Sequence, residues 1–334
     1  MRIITEAMVE EHLSLPECIS AMREVMTAVS NDEATLPIRN YLPIPNQPGK
    51  MAIMPGTIEE PGPCFGIKLV CKYERAADSP YGTHVGMVLV FDSEKGVPLA
   101  MIEGASLTAI RTSAASAMAT DLLANPDAKS LAILGCGEQA LRHVRAMLAV
   151  RDVQHIHVWG RNVARADAFC QRLSKETGVE MSVAKSAEAC VVNADLVCTT
   201  TASKTPILKG AWLKPGCHVN LVGAAIPTSA EADADVVTRS RFFVDYKPAA
   251  MAAAGELLNA ITAGVASADT IVAEIGEVAA DRVQGRVSTN DITVYKSLGV
   301  SSQDLAAGHK LYELACREGF GVEINMMDYE AKSL

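Results

Sequence analysis

Apolar residues near the start of the chain, Met8, Val9, Leu13, Ile19, Met22, Val25, Met26 and Val29, return at helical spacing. Pro16 divides the run, so the pattern predicts two amphipathic helices between Thr5 and Asn31. Residues 36–60 are rich in proline and glycine. Short strand-like pieces at 51–54, 65–70, 85–91 and 98–102 then alternate with turns such as Ser93-Glu-Lys-Gly96, which predicts a sheet-containing first part. An alanine-rich helix over 107–123 leads through Asn125-Pro126 to an apolar run, Leu131 to Leu134, closed by Gly135-x-Gly137-x-x-Ala140.

Beyond that turn the pattern alternates. Strand candidates at 156–159, 181–184, 196–199, 218–222 and 242–244 are separated by helical stretches, among them 139–150, 163–177 and 187–193. Strands linked by helical crossovers predict an α/β fold with a Rossmann-type, doubly wound parallel sheet. In that context the glycine pattern reads as a dinucleotide-binding turn. Gly135 makes the tight turn, and Gly137 lets backbone approach a pyrophosphate at the N-terminus of the helix that begins at Glu138 and Gln139. A last helix is predicted over 303–317.

Composition narrows the function classes. The 334 residues are 49% hydrophobic, enough for a large core split over two domains. With 30 Lys and Arg against 39 Asp and Glu, the net charge of −9 speaks against a mainly electrostatic nucleic-acid or membrane-surface partner. The N-terminus lacks a signal-peptide pattern, and the uncharged run 215–230 contains His218, Asn220, Pro215 and Pro227, so no membrane span is expected. Nine cysteines without a CxxC pair suggest reduced thiols in a cytoplasmic protein and no metal site.

The adenosine ribose in such folds is read at the end of the second strand, about 20 residues past the glycines. Here that strand ends in Trp159-Gly160-Arg161 with no carboxylate. Either Arg161, with Arg165 one turn on, binds the 2′-phosphate of NADPH, or it is an ordinary solvated arginine; the missing acid favours NADPH, with NADH possible. Thr200, in Thr199-Thr-Thr-Ala-Ser203, and Val222 and Gly223, in Val222-Gly-Ala-Ala225, follow later strands, where the nicotinamide half would lie or where small residues merely serve packing.

Three cations sit in apolar or turn-like settings: Arg39, Lys68 and Arg111. A lysine inside a buried strand needs an anion, because its desolvation is otherwise unbalanced.

At these residues the chain resembles the ornithine cyclodeaminase/mu-crystallin family. The resemblance runs through Gly66-Ile-Lys68, Thr83-His84, Leu107-Thr-Ala-Ile-Arg111-Thr-Ser, Gly135-Cys-Gly137-Glu138-Gln139-Ala140, Val158-Trp-Gly-Arg161, Leu213-Lys-Pro-Gly216 and Val294-Tyr-Lys-Ser297-Leu-Gly299. It implies a dinucleotide domain, 121–303, inserted in an α+β substrate-binding and dimerisation domain, 1–120 plus 304–334. It further implies a homodimer, with Arg39, Lys68 and Arg111 gripping the carboxylate of an amino or imino acid, Ser297 and Gly299 near the nicotinamide, and Thr83 near cofactor and substrate. His84 is either a proton relay or a structural histidine.

Two departures matter. Ornithine cyclodeaminases carry an aspartate where this chain has Ala225 and a glutamate near the substrate amine where it has Ala52, so ring closure of ornithine is not expected. Ketimine reductases of the mu-crystallin branch share the missing aspartate, the His after Ser/Thr and the Trp-x-Arg strand end. The expected activity is therefore NAD(P)H-dependent reduction of a cyclic ketimino acid, Δ1-pyrroline-2-carboxylate to L-proline or Δ1-piperideine-2-carboxylate to L-pipecolate. The alternatives are dehydration of cis-3-hydroxy-L-proline, reduction of a linear imine as in alanine dehydrogenase or iminosuccinate reductase, and an NADPH-dependent small-ligand binding protein whose turnover is incidental.

Overall fold

The computed structural model describes residues 1–60, 62–75, 79 and 81–325. Among them the chain builds two eight-stranded sheets.

The first is mixed. β1 (Arg2–Ile4) is followed by α1 (Glu6–His12) and α2 (Leu15–Ser30), then β2 (Ala34–Thr35), β3 (Asn40–Pro43), β4 (Lys50–Ile58), β5 (Cys64–Lys72), β6 (His84–Asp92) and β7 (Pro98–Glu103). β4 to β7 form an antiparallel meander; β1 adds parallel to β7. Pro16 lies in the first turn of α2, where its missing N–H costs nothing, and Ser14 caps that helix by accepting from Glu17 N. On β4 and β5 the even-numbered residues, such as Ala52, Met54, Gly66, Lys68 and Val70, are buried. The odd-numbered ones face outward.

α3 (Gly104–Leu123) is buried around nearly its whole circumference, as an alanine-rich helix must be when elements pack on every side. It leads into the second sheet: β8 (Ser130–Leu134), α4 (Glu138–Val150), β9 (His155–Trp159), α5 (Val163–Thr177), β10 (Glu180–Val183), α6 (Ala187–Val191), β11 (Leu196–Thr199), β12 (His218–Leu221), α7 (Ala234–Thr238) and β13 (Arg241–Val244). Then come α8 (Lys247–Ala253), α9 (Gly255–Thr262), β14 (Ile271–Glu274), α10 (Ile275–Ala279), β15 (Thr293–Lys296), α11 (Ser301–Glu318) and β16 (Val322–Glu323), which returns to the first sheet beside β1.

Every pairing in the second sheet is parallel, in the order β10-β9-β8-β11-β12-β15-β13-β14. The doubly wound sheet expected from the alternation is therefore present, with boundaries shifted by a residue or two. The strand pattern missed β14 and β15, although β10 to β13, equally short, were expected. β15 matters most, because it slots between β12 and β13 and brings Lys296, Ser297 and Gly299 to the carboxyl edge of the sheet.

One core runs from α1, α2, α3 and α11 onto the first sheet and on to Phe243 and Tyr295 of the second. α11 thus leaves the second sheet and packs on the first, with Leu305, Ala307, Leu311 and Leu314 buried. Among the described residues no helix is long and apolar enough to cross a membrane, and no cluster of His, Cys, Asp or Glu could hold a metal.

At the amino edge of the parallel sheet, Asp195 accepts from Lys129 N, Ser130 N and Ser130 Oγ and pairs with Lys214 at 2.6 Å. Burial alone would raise its carboxyl, but these donors outweigh it and hold the group down at about 2. Its contribution is therefore complete above the unfolded carboxylate value and is lost as pH falls from about 4 to about 2. Asp195→Asn is expected to lower the urea midpoint at pH 6 and to flatten the fall in wild-type stability across that acid window.

Candidate functional site

The glycine turn after β8 has the shape its sequence predicts. Gly135 has φ +128°, donates to Trp159 O at 2.8 Å, and abuts the Thr200 loop so closely that a Cβ would lie 2.7 Å from Thr200 Oγ1. Gly137 is the N-cap of α4, and a Cβ there would meet nothing within 4 Å. The space before the free N–H groups of α4 is thus open to an anion. Gln139 Oε1 is buried without a hydrogen-bond partner, while Glu138 pairs with Arg142 at 2.7 Å and is committed to the helix surface.

β8 and β11 are neighbours whose chains wind away in opposite directions, so the turn and Thr200 stand at the switch point of the sheet. Val222 donates to Thr199 O; Gly223 N donates to Glu231 Oε2 at 2.6 Å, and a Cβ at Gly223 would strike Thr201 O at 2.0 Å. An open anion cradle, an unpartnered buried amide oxygen and small residues at the strand ends fit a dinucleotide. Arg161 follows β9, exposed, with no hydrogen bond or ion pair to any described residue.

Carboxylates that periodicity did not reveal hold these loops. Glu231, fully buried, accepts from Thr199 Oγ1, Thr201 N, Thr201 Oγ1 and Gly223 N, tying the loops after β11 and β12 together. Glu256 accepts from Glu231 N and pairs at 2.9 Å with Lys296, whose Nζ also donates to Ala224 O at 2.6 Å. Asp245 Oδ2 accepts from the N–H groups of Leu298 and Gly299, both at 2.7 Å, and so shapes the turn after β15; Ser297 N joins Leu221 O at 3.0 Å.

Two of the three sequence cations, Arg39 and Arg111, meet that turn, and Lys68 joins Arg111 on Asp304. Arg39 donates to Leu298 O at 2.6 Å and also to Gly299 O. Gly299 has φ +74°, and a Cβ on it would lie 2.8 Å from Arg111 Nη1, so glycine is required both by backbone and by the guanidinium packed against it. The anion that buried Lys68 demands proves to be Asp304. Its Oδ1 receives Lys68 Nζ at 2.8 Å and Arg111 Nε at 2.9 Å, while Arg111 Nη1 donates to Gln303 Oε1 at 2.8 Å. Lys68 is 3% exposed, Arg111 4% and Asp304 0%.

From the sequence, Asp304 looks like an ordinary acid in the first turn of a helix, placed for the helix dipole. The one available signal was the converse requirement, that Lys68 must have a partner somewhere. Burial works to raise the Asp304 carboxyl, yet Arg111 and Lys68 hold it below the usual range. Burial draws Lys68 down to about 7, against the pull of Asp304 and with the push of Arg111 and Arg39.

Thr83 Oγ1 lies 3.0 Å from His84 Nδ1, and His84 faces Lys72 across β5 and β6. Burial, then repulsion from Lys72 and Lys68, takes His84 down to about 4, so it is neutral near pH 7. The loop 74–83, which showed no decisive contact in the sequence, falls in part outside the described residues. Ala225 is half-buried, and Ala52 is buried between Tyr41 and Val70 in register; neither position offers an acid.

Removing the charge that serves two buried cations is costly. Asp304→Asn is expected to lower unfolding free energy by about 3–5 kcal/mol in urea titration, with the helical circular-dichroism spectrum of the folded protein retained.

Residues 1–319 match the profile of the ornithine cyclodeaminase/mu-crystallin family. The chain is 33% identical over 313 residues to a Delta(1)-pyrroline-2-carboxylate reductase of Bacillus cereus, covering 93% of this chain and 96% of that one. Its structure superposes with a TM-score of 0.93, at 29% identity, on Delta(1)-pyrroline-2-carboxylate reductase of Thermococcus litoralis in complex with NADH and L-proline, over 97% of this chain and all of that one. It is also similar, with a TM-score of 0.91 and 29% identity over 98% of this chain and 99% of the other, to an archaeal alanine dehydrogenase dimer with bound NAD. On sequence and on fold alike, the chain belongs to the ornithine cyclodeaminase/mu-crystallin family.

Proposed function

We propose that the chain is an NAD(P)H-dependent imino-acid reductase, with Δ1-pyrroline-2-carboxylate to L-proline as the reaction its site supports best and Δ1-piperideine-2-carboxylate to L-pipecolate as a second ring size. The observation that carries this reading is that Arg39 and Arg111 meet the 297–299 turn and Lys68 shares Asp304 with Arg111, at the carboxyl edge of a parallel sheet that has a dinucleotide switch point. The names of the relatives agree with it.

A carboxylate entering between the two sheets meets cations already fixed by Asp304 and by backbone carbonyls, so little side-chain ordering remains to be done. Gln139, Thr200, Val222 and Gly223, with the anion cradle at Gly137, would hold the dinucleotide, and the nicotinamide, when bound, supplies the hydride. Lys68 Nζ, poised to take either protonation state near pH 7, is the group that can hold or release a proton beside the imine nitrogen. Neutral His84 is less suited to that task. Ala225 and Ala52 leave the site without the carboxylates that deamination and ring closure of a diamino acid would use.

In this reading 121–303 carries the dinucleotide, while 1–120 and 304–334 carry the substrate cations and the dimer contact. The outer face of the first sheet presents Leu42, Ile53, Ile67, Leu69, Val85 and Met87, with Leu42 51% and Met87 40% exposed, and a second copy of the chain would cover it. Arg161, unpaired beyond β9 with no acid beside it, supports NADPH over NADH.

NADPH oxidation is expected with pyrroline-2-carboxylate. Lys68→Met should cut kcat/KM by about 10–100-fold, the worth of one charge-assisted hydrogen bond, without unfolding the protein; wild-type turnover by the folded variant would remove Lys68 from the site. Arg161→Met should raise KM for NADPH by about tenfold and leave KM for NADH nearly unchanged, and equal shifts for both would refute the phosphate contact.

A further inference from the structure

A cavity of about 40 Å³ lies beside the 297–299 turn, between the segment before β3, strand β4, helix α8 and the start of α11. Arg39 and Gly299 line it, so it adjoins the carbonyls that Arg39 binds. Met54, the cross-strand partner of Lys68, forms a second wall, and Ala249 and Ala253 of α8 a third. Ser301, the first residue of α11, also lines the cavity and is 3% exposed. Its hydroxyl has no hydrogen-bond partner.

Buried hydroxyls are normally satisfied, and one that is not destabilises the fold. Among the described residues with a buried, unpartnered side-chain atom, Ser301 alone lines this cavity. Gly56 of β4 makes room for it, since a Cβ there would lie 2.5 Å from Ser301 Oγ. A protonated cyclic imine needs such an acceptor. Its N–H is on the atom bonded to C2, which carries the carboxylate, so the acceptor must border the carboxylate's cations. The nearby acids do not serve. Asp304 Oδ2 lacks a partner, but the residue is 0% exposed and lines no part of the cavity. Asp245 is equally buried and holds the N–H groups of Leu298 and Gly299, while positions 52 and 225 are alanines. Volume adds a second constraint. At about 10–15 Å³ for each water-sized group, the cavity takes about three, which matches the three ring methylenes of a pyrroline and crowds the fourth of a piperideine.

We propose that this cavity is the ring subsite of the imino acid, that Ser301 Oγ accepts the iminium N–H within it, and that Ala253 limits the ring to five members. This rests on the imino-acid reductase reading and deepens it. The protonated imine is the electrophile, so an acceptor for its N–H favours the reactive form and fixes which face of C2 is presented. When hydride reaches C2, the π pair of the C=N bond becomes the nitrogen lone pair. The N–H stays on Ser301 Oγ, so that step takes no proton from the protein, and the amine is protonated afterwards.

The test measures NADPH-dependent reduction of Δ1-pyrroline-2-carboxylate and Δ1-piperideine-2-carboxylate by wild type, Ser301→Ala and Ala253→Val. Wild type should favour the five-membered ring. Ser301→Ala should lose about tenfold or more in kcat/KM on pyrroline-2-carboxylate, the scale of one charge-assisted hydrogen bond, with KM for NADPH unchanged. Its urea midpoint should be no lower than that of wild type, because the substitution removes an unsatisfied buried hydroxyl. Ala253→Val should lower the ratio of kcat/KM for the six-membered ring to that for the five-membered ring by about tenfold, the scale of one methylene in a closed pocket. Wild-type kcat/KM or a lowered urea midpoint in Ser301→Ala, or an unchanged ring ratio in Ala253→Val, would overturn the proposal.

Calorimetric titration of the same proteins with L-proline and L-pipecolate, with NADP⁺ present, separates the subsite from the chemistry. Turnover of pyrroline-2-carboxylate by wild type and Ser301→Ala at equal rates would sink the subsite while the reductase reading stands. Binding of L-proline that weakens in Ser301→Ala, by a protein that reduces no imine, would keep the subsite and sink the reductase reading. Neither turnover nor binding of either ring would sink both.

Discussion

The ion pairs of Asp304 with Lys68 and Arg111 are the interaction on which the arrangement of the site depends. Three charged groups, each at most 4% exposed, come from β5, α3 and α11, and none could be left in the interior alone. Satisfying them fixes how the last helix docks on the first sheet, and that docking holds the 297–299 turn against Arg111 and Arg39. These cations are therefore positioned by the fold before any ligand arrives, which is what the proposed site, working mainly by orientation and charge, requires.

A second set of buried acids does the same for the parallel sheet. Glu231 gathers the loops after β11 and β12, Glu256 and Lys296 brace it from beneath, and Asp245 shapes the turn after β15. Burial pushes the Glu231 and Asp245 carboxyls upward, while backbone and hydroxyl donors pull them back. Both devices use buried charge to make loops at strand ends rigid, where backbone must approach a ligand closely and large side chains are excluded. The stability of the protein and the geometry of its site thus rest on the same residues, which is why a charge change at Asp304 reads out in folding.

Much of this protein was legible along the chain because its signals are local. Alternating strand and helix patterns from 131 to 244 determine a parallel doubly wound sheet, since only crossovers of that length link parallel neighbours. Gly135 marks a turn whose φ of +128° it alone permits at low cost, Gly137 leaves the approach to the next helix open, and Lys68 stands within an apolar strand-like run. The demand of Lys68 for an anion was also readable, although not the identity of that anion.

Pairing across the fold was decided by tertiary structure. Asp304 lies 236 residues from Lys68, and nothing in its own neighbourhood distinguishes it from a helix-capping acid. The strand β15 was not foreseen, and only its insertion between β12 and β13 delivers Lys296, Ser297 and Gly299 to the carboxyl edge of the sheet. The row of Lys50, Lys72 and His84 exists because antiparallel register sets three distant segments side by side. Sequence by itself determines which groups cannot remain unpaired in an apolar interior; the fold decides which partner each one meets, because burial makes the requirement and three-dimensional neighbourhood alone can meet it.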